Sequence, residues 1–343
     1  LIKIPKELYE THREIVLHMD TMYINGIGFL TTDSEPLQYR KCTPIESGTH
    51  DEYFKAIDNV LRIYNKGGFT VKEIYCDGEY KEMMDRVKDD LNVDMNYSNP
   101  QDHVPRAERN NRTIKEAFRT ALHRTGYKTI PKVMIQDLAE ISAERLNMFP
   151  AKNGISDYYS PETIVTGKVL DYNKHCKYEF GEYVQAHTQH NPTNVMTERA
   201  IDGIYLRPNN NFQGGHIIMN LNTGKRITRG KITSVPLTEM VIRKVEDMAQ
   251  QQQITHIKFT NKAGVTIPNV DWIAGVDYDD YEHNNNDEDY IPPEHDDEDI
   301  EIQVDQDIEQ EEIDELLADE EANNNYNNNN NAPVDESDED ESD

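Results

Sequence analysis

The chain has 343 residues and a formal net charge of −30, but residues 271–343 carry 31 Asp or Glu and no Lys or Arg, so the remaining 34 acids face all 35 basic residues in a nearly neutral body. No apolar run approaches the roughly 18 to 20 residues needed to span a bilayer, and no charged-then-apolar signal pattern opens the chain, so membrane insertion and secretion are not expected. Cys42, Cys76 and Cys176 are odd in number, far apart and form no C-x-x-C pair, which points to reduced thiols in an intracellular protein.

The first element is a buried strand over residues 14–20, EIVLHMD, closed by Asp20. Two more short strands at 26–32 and 37–43 complete a three-stranded meander. Thr49 and Glu52 have the spacing of a capping box, and Tyr53, Ile57, Val60, Leu61 and Tyr64 keep helical period until Gly67-Gly68 stops the helix. A fourth strand at 71–77 also closes on an acid, Asp77. A polar helix at about 79–91 and a fifth strand at 93–99 follow.

The next helix runs from Pro105, which suits a first turn because its missing N–H is not needed there, to Gly126, which suits the left-handed residue just past an end. Ile114, Ala117, Phe118, Ala121 and Leu122 form its apolar stripe, while Glu108, Arg112, Lys115 and Arg119 line another face. Residues 106–132 contain eight Lys or Arg against Glu108 and Glu116. A surface of this kind, with Arg106, Arg109, Arg112, Lys115 and Arg119, suits a phosphate backbone. The alternative is a solvated basic helix with a chance acid. A second helix after Pro131, with Met134, Leu138 and Ile141 on one side, completes a mixed α/β domain over residues 1–150.

Residues 151–180 are turn-rich and are expected to be a surface linker. Residues 181–253 then read as a small β-barrel plus helix: strands at 182–187, 203–208 and 215–235, a hairpin turn at Asn222-Thr223-Gly224, and a helix over about 238–253. Lys225, Arg226, Arg229 and Lys231, with Arg207, give this module a basic side, whose other reading is an ordinary solvated hairpin. A linker is expected over 254–280. Residues 281–343, with an Asn-rich run at 323–331, have too little apolar surface to offset ordering entropy and are expected to be disordered. In that tail Val304, Ile308, Ile313 and Leu316-Leu317 interrupt the charge at loosely helical spacing, so an interaction segment is the competing idea. Leu1 falls within polar, helix-like sequence, and the chain is expected to be a piece of a longer polyprotein.

Asp20, Asp77 and Glu108 are the candidate catalytic and metal-binding residues. If the first and fourth strands are neighbours, their ends lie about 5 Å apart, and a helix packed on the sheet can bring a third carboxylate alongside. Clustered carboxylates repel unless a cation neutralises them, and hard oxygen ligands favour Mg²⁺ or Mn²⁺. Two such ions about 3.5 to 4 Å apart activate a water or hydroxyl for in-line attack on phosphorus. Singly, each acid has an ordinary turn or helix-dipole explanation.

The combination LHMDTMYINGIGFL, IYCDGEY and HVPRAERNNRTIKEAFR resembles the Asp, Asp, Glu pattern of retroviral-type integrases. SPETIVTGKVLDYNKHCKYEFGEYV at 160–184 and WIAGVDYDD at 272–280 are similar to the stretches that follow the core in copia-type (Pseudoviridae) retrotransposon polyproteins, most like the diatom and marine lineage. The similarity covers about residues 5–280. It implies a ribonuclease H-like core followed by a small barrel of Src-homology-three type, and a metal-dependent polynucleotidyl transferase that trims element DNA ends and joins them to target DNA. Its partners would be double-stranded DNA and further copies of itself. Asp20, Asp77 and Glu108 carry over as metal ligands. Only 30 residues separate Asp77 from Glu108, which suggests a trimmed segment before the last helix. His12, His18, Cys42 and His50 make no zinc-module arrangement, so no zinc is expected. A catalytically silent, nucleic-acid-binding remnant of the same element is the alternative. No GxxxxGK[ST], GxSxG or HExxH is present, so ATPase, serine hydrolase and zinc-protease readings lack support.

Overall fold

The computed structural model describes residues 2–97 and 104–267, less 153, 170, 172–174, 189–195, 197 and 211–213. The acidic tail expected over 281–343 lies outside the described residues. A short helix α1 (Lys6–Thr11) precedes a central mixed sheet. Its strands are β1 (Glu14–Ile24), β2 (Ile27–Glu35), β3 (Arg40–Ile45), β4 (Thr70–Cys76) and β5 (Asp94–Tyr97), in the order β3-β2-β1-β4-β5. β1, β2 and β3 pair antiparallel, whereas β4 is parallel to β1 and β5 to β4. Asn25 and Gly26 join β1 to β2, both with positive φ (50° and 74°), the conformation of a two-residue hairpin turn matched to strand twist.

β1 runs four residues beyond the expected end, so Asp20 sits inside the strand rather than at its terminus. The β-branched and aromatic stretch Thr21 to Ile24 continues the pairing with β2. Alternation along β1 divides the core. Ile15, Leu17 and Met19 face a cluster with helix α2 (His50–Gly67), while Met22 and Ile24 face a second cluster with α4 (Pro105–Arg124) and α5 (Lys132–Leu146). Gly68 closes α2 in the left-handed conformation. The expected capping box is not made: Thr49 caps with no side-chain bond, and Glu52 instead accepts the backbone N–H groups of Glu46, Ser47 and Gly48. The expected polar helix starts as a 3₁₀ turn (Gly78–Met83) before α3 (Met84–Leu91).

The second half is not an independent module beyond a linker. Within 151–180, helix α6 (Pro161–Thr166), capped by Ser160, buries Ile164 and Val165 in the α2 cluster. A second, antiparallel sheet follows: β6 (Tyr183–His187), β7 (Ala200–Pro208), β8 (His216–Asn220), β9 (Arg226–Arg229) and β10 (Ile232–Ser234), ordered β10-β6-β7-β8-β9. β9 and β10 are opposite edges joined only through Gly230 and Lys231, a reach of about 10 Å. In a flat sheet those edges would stand about 19 Å apart. The sheet therefore curls on itself around Tyr178, Val184, Ala186, Tyr205, Ile218 and Ile232.

Its outer side, with Ile204, Leu206, Met219 and Leu221, shares one core with α5 and with α7 (Glu239–Gln251). This is why α5 is buried on nearly every side, Gln136, Asp137 and Ser142 included: it lies between two sheets. Arg207 and Arg226 both reach from the second sheet to Asp137 of α5, which is fully buried. Beyond α7, the presumed linker returns to the first sheet as β11 (Phe259–Thr260), paired antiparallel with Tyr23 and Ile24 of β1.

Candidate functional site

Asp20 and Asp77 are placed together by strand register. The last paired residues of β1 and β4 are His18 and Tyr75; Asp20 lies two positions further along β1, and Asp77 two positions further along the chain, just past the end of β4. Adjacent strands are about 4.8 Å apart, and residues at matching positions point to the same side. Asp77 remains extended, with φ −74° and ψ 162°, and its carbonyl accepts the Tyr80 N–H at 3.2 Å to begin the 3₁₀ turn. Glu108 occupies the first turn of α4, which packs on β1 and β2 over the face that carries Asp20.

Asp20 is held at both carboxylate oxygens. Its Oδ1 accepts the Thr21 N–H at 2.6 Å and its Oδ2 accepts the Asn111 side-chain amide at 2.6 Å. Burial pushes its carboxyl up to about 7, and the negative charges of Asp77, Glu79 and Glu108 push in the same direction against the Thr21 N–H. Three acids thus act on one half-buried acid. Glu79 was not singled out in the sequence. Lys115 stands in the same field: burial lowers its pKa and Arg119 adds to this, while Asp20 and Glu108 oppose it.

A polar layer between the sheet and α4 holds this geometry. Arg106 donates to Asp33 at 2.8 Å and to the Ser34 carbonyl at 3.2 Å, and lies 3.4 Å from Glu35. Arg40 donates to Asn110 at 3.1 Å, and His18 meets Glu35 at 3.2 Å. Asn111 donates to Asp20 and accepts from Thr31. Asn110 and Asn111, both buried, were missed in the sequence. The available signal was spacing: Asn111 follows Glu108 by three residues, so both lie on one side of the helix.

The expected basic surface is redistributed. Arg106 is turned inward onto Asp33, so its guanidinium belongs to the polar layer. Arg109 is exposed and Arg112 half-buried. Arg119 pairs with Glu116, and Arg119 and Lys115 both lie over the ring of Phe259 from β11, at 5.1 and 5.6 Å. On the second sheet Arg226 is tied to Asp137 and Gln136 of α5, while Lys225 and Lys231 are exposed and Arg229 donates to the Thr228 carbonyl. These four residues sit on a different sheet from the acids.

Among the described residues, no three or more His, Cys, Asp or Glu stand close enough together to hold a metal ion as they are. Asp20, Asp77 and Glu108 share a side and a field, not a ligand sphere. The chemistry of the donor set nevertheless suits a hard cation, since an acid driven up by burial, and further by Asp77, Glu79 and Glu108, is one that a cation would bring back down. Cys42, Cys76 and Cys176 are free thiols, and burial, then Asp77, pushes the Cys76 thiol up to about 12. No described helix is long and apolar enough to cross a membrane.

No family profile matches the chain, and no curated protein is similar to it. Among solved structures, the chain is similar to the crystal structure of the catalytic core domain of BIV integrase, with a TM-score of 0.34 and 14% sequence identity, over 44% of this chain and 93% of that one.

Proposed function

We propose that the chain is a polynucleotidyl transferase with a ribonuclease H-like core, an integrase of copia type that processes DNA ends and joins them to target DNA. The observation that supports this reading is that Asp20 and Asp77 each follow, by two residues, the last register partners His18 and Tyr75 of parallel neighbours β1 and β4, while Glu108 lies in the first turn of α4, which packs on β1 and β2. Residues 1–150 are read as the core. The curled sheet and α7, within 181–253, are read as a DNA-binding barrel, and 281–343 as an acidic tail. DNA ends and target would be its ligands, assembly into a homo-oligomer its working form, and the nucleus, reached from the cytoplasm, its place of action.

In this reading Asp20, Asp77 and Glu108 would hold Mg²⁺ or Mn²⁺, which when bound supplies charge neutralisation and polarisation of a phosphodiester oxygen. The chain's own residues do the positioning. Asn111 and the Thr21 N–H fix the Asp20 carboxylate, and the Arg106–Asp33 pair fixes the helix turn that presents Glu108. Arg109, Arg112, Lys115 and Arg119 on α4, and Lys225, Arg229 and Lys231 on the second sheet, would contact phosphates. Arg106 and Arg226 would support those surfaces from beneath.

A second reading, a catalytically silent DNA-binding remnant, is favoured by one observation, the lack of a ready three-ligand cluster among the described residues. An end-joining assay with labelled duplex DNA and Mn²⁺ separates the two. Wild type should nick and join DNA, and Asp77→Asn should lose both by several orders of magnitude while keeping DNA affinity. Wild type that binds DNA and never cleaves it selects the remnant, and equal joining by both proteins removes the acids from the mechanism.

A further inference from the structure

Beside the acids, on β4, the sheet carries an exposed aromatic ring. Tyr75 is 38% exposed, and its ring stacks on His18 of β1 with centroids 5.5 Å apart and planes 17° apart. His18 and Tyr75 are register partners, two positions before Asp20 and Asp77 respectively. The stacked pair and the two acids therefore form consecutive rungs on one side of the sheet, separated by about 6.6 Å along the strands.

The surroundings are asymmetric. On the β2 side of Asp20 lies α4, whose Lys115 is in electrostatic reach of Asp20 and Glu108. On the other side Tyr75 and its register partner Asn96 of β5 are both exposed. Tyr75 donates its hydroxyl to Glu73 at 3.1 Å, which fixes the ring's tilt without covering it. A held ring of this kind, with one neighbour stacked and more than a third of its surface open, is a platform for another flat group, and every nucleobase has such a face.

We propose that Tyr75, braced by His18, stacks an unpaired base at the DNA end and so positions the adjoining phosphate against Asp20 and Asp77, while α4 draws the backbone from the opposite side. Tyr75 is a positioning residue on this account, not a proton carrier. The inference rests on the reading of the acids as a DNA-processing site, but stacking needs no cation and can be measured without turnover.

The test uses the full chain in a chelating buffer and fluorescence anisotropy with two duplexes that share a short 3′ overhang, one with natural bases and one abasic at those positions. Wild type should prefer the base-bearing overhang by about five- to a hundredfold. Tyr75→Ala should bind both duplexes alike, and Tyr75→Trp should keep the preference, with thermal melts checking that each variant is folded. Equal binding of the two duplexes by wild type overturns the proposal, and so does a preference that survives in Tyr75→Ala. The outcomes stay separable from the catalytic reading: a base preference that depends on Tyr75 in a protein that never joins DNA leaves the platform standing and removes the transferase.

Discussion

Asn111 of α4 donates its side-chain amide to the Asp20 carboxylate at 2.6 Å while its oxygen accepts the Thr31 hydroxyl at 2.5 Å, so one buried amide ties the helix that bears Glu108 to the two strands beneath it. Asn111→Ala removes a donor from a carboxylate that burial already disfavours. Hydrogen bonds to charged groups contribute about 1.5 to 3 kcal/mol, and a loss in that range is expected in urea unfolding. Asn111→Asp should be worse, and worse at pH 8 than at pH 5, because two facing carboxylates then compete for one proton. Wild-type stability in both variants would show that the amide is incidental.

Arg106 provides a sharper contrast between surface and interior. A phosphate-binding arginine on an open face can be truncated with little effect on folding, since surface changes stay within about 0.5 kcal/mol. Arg106 instead compensates Asp33, which is 3% exposed. Burial raises the pKa of Asp33, and Arg106 and then Arg40 oppose that rise. Arg106→Ala should therefore destabilise the protein by about 3 to 5 kcal/mol, the usual result of leaving a buried charge alone. Arg109→Ala, at an exposed position, should change DNA affinity and leave the melting temperature in place. The reverse pattern would return Arg106 to the surface.

These two residues also show where sequence reasoning reached and where it stopped. Alternation and end signals are local, so the meander, α2, the separate strands that lead to Asp20 and Asp77 and the Pro105 start of α4 could be read from short windows, whereas the parallel pairing of those two strands could only be supposed. The end of β1 was placed four residues early because TMYI is as good a strand as EIVLH, and only pairing with β2 decides the end. Arg106 meets Asp33 across 73 residues, and Phe259 caps Lys115 and Arg119 across more than a hundred. No window contains either pair. The all-round burial of α5 likewise depends on a second sheet whose strands begin some forty residues later.

The Lys41–Glu144 pair joins β3 to α5 at 2.8 Å, with Arg207 and Asn210 of the second sheet's side completing the cluster. Burial disfavours the Glu144 anion, but Lys41, then Arg207 and Asn210, outweigh it and hold the carboxyl below the ordinary glutamate range. A depressed carboxyl contributes stability above its unfolded value, and that contribution disappears as pH falls through the folded value. Glu144→Gln should therefore cost about 3 kcal/mol at pH 7, and the gap to wild type should narrow as pH drops below about 4. Unfolding curves at pH 7 and pH 3.5 test this. A gap that stays constant across that span would mean that the pair contributes through shape rather than charge.

Asp20 gives the opposite sign. Its carboxyl is pushed up to about 7, so between the ordinary aspartate value and pH 7 the native state holds a proton that the unfolded state has released. The native state then binds more protons, and in the absence of a cation stability should fall as pH rises through that window and level off above it. A divalent ion that sits among Asp20, Asp77 and Glu108 needs them ionised, so its stabilising effect should grow over the same range. An ion present at a hundred times its dissociation constant adds about 2.7 kcal/mol, which for a body of this size is roughly 5 to 10 °C in melting temperature. Calorimetry with and without Mn²⁺ should thus show a large shift at pH 8 and a small one at pH 5, and Asp77→Asn should reduce the pH slope of the metal-free protein, leaving the part due to burial, and diminish the shift produced by the ion. Equal shifts at the two pH values, or an Asp77→Asn protein that responds like wild type, would place the ion somewhere other than these three acids.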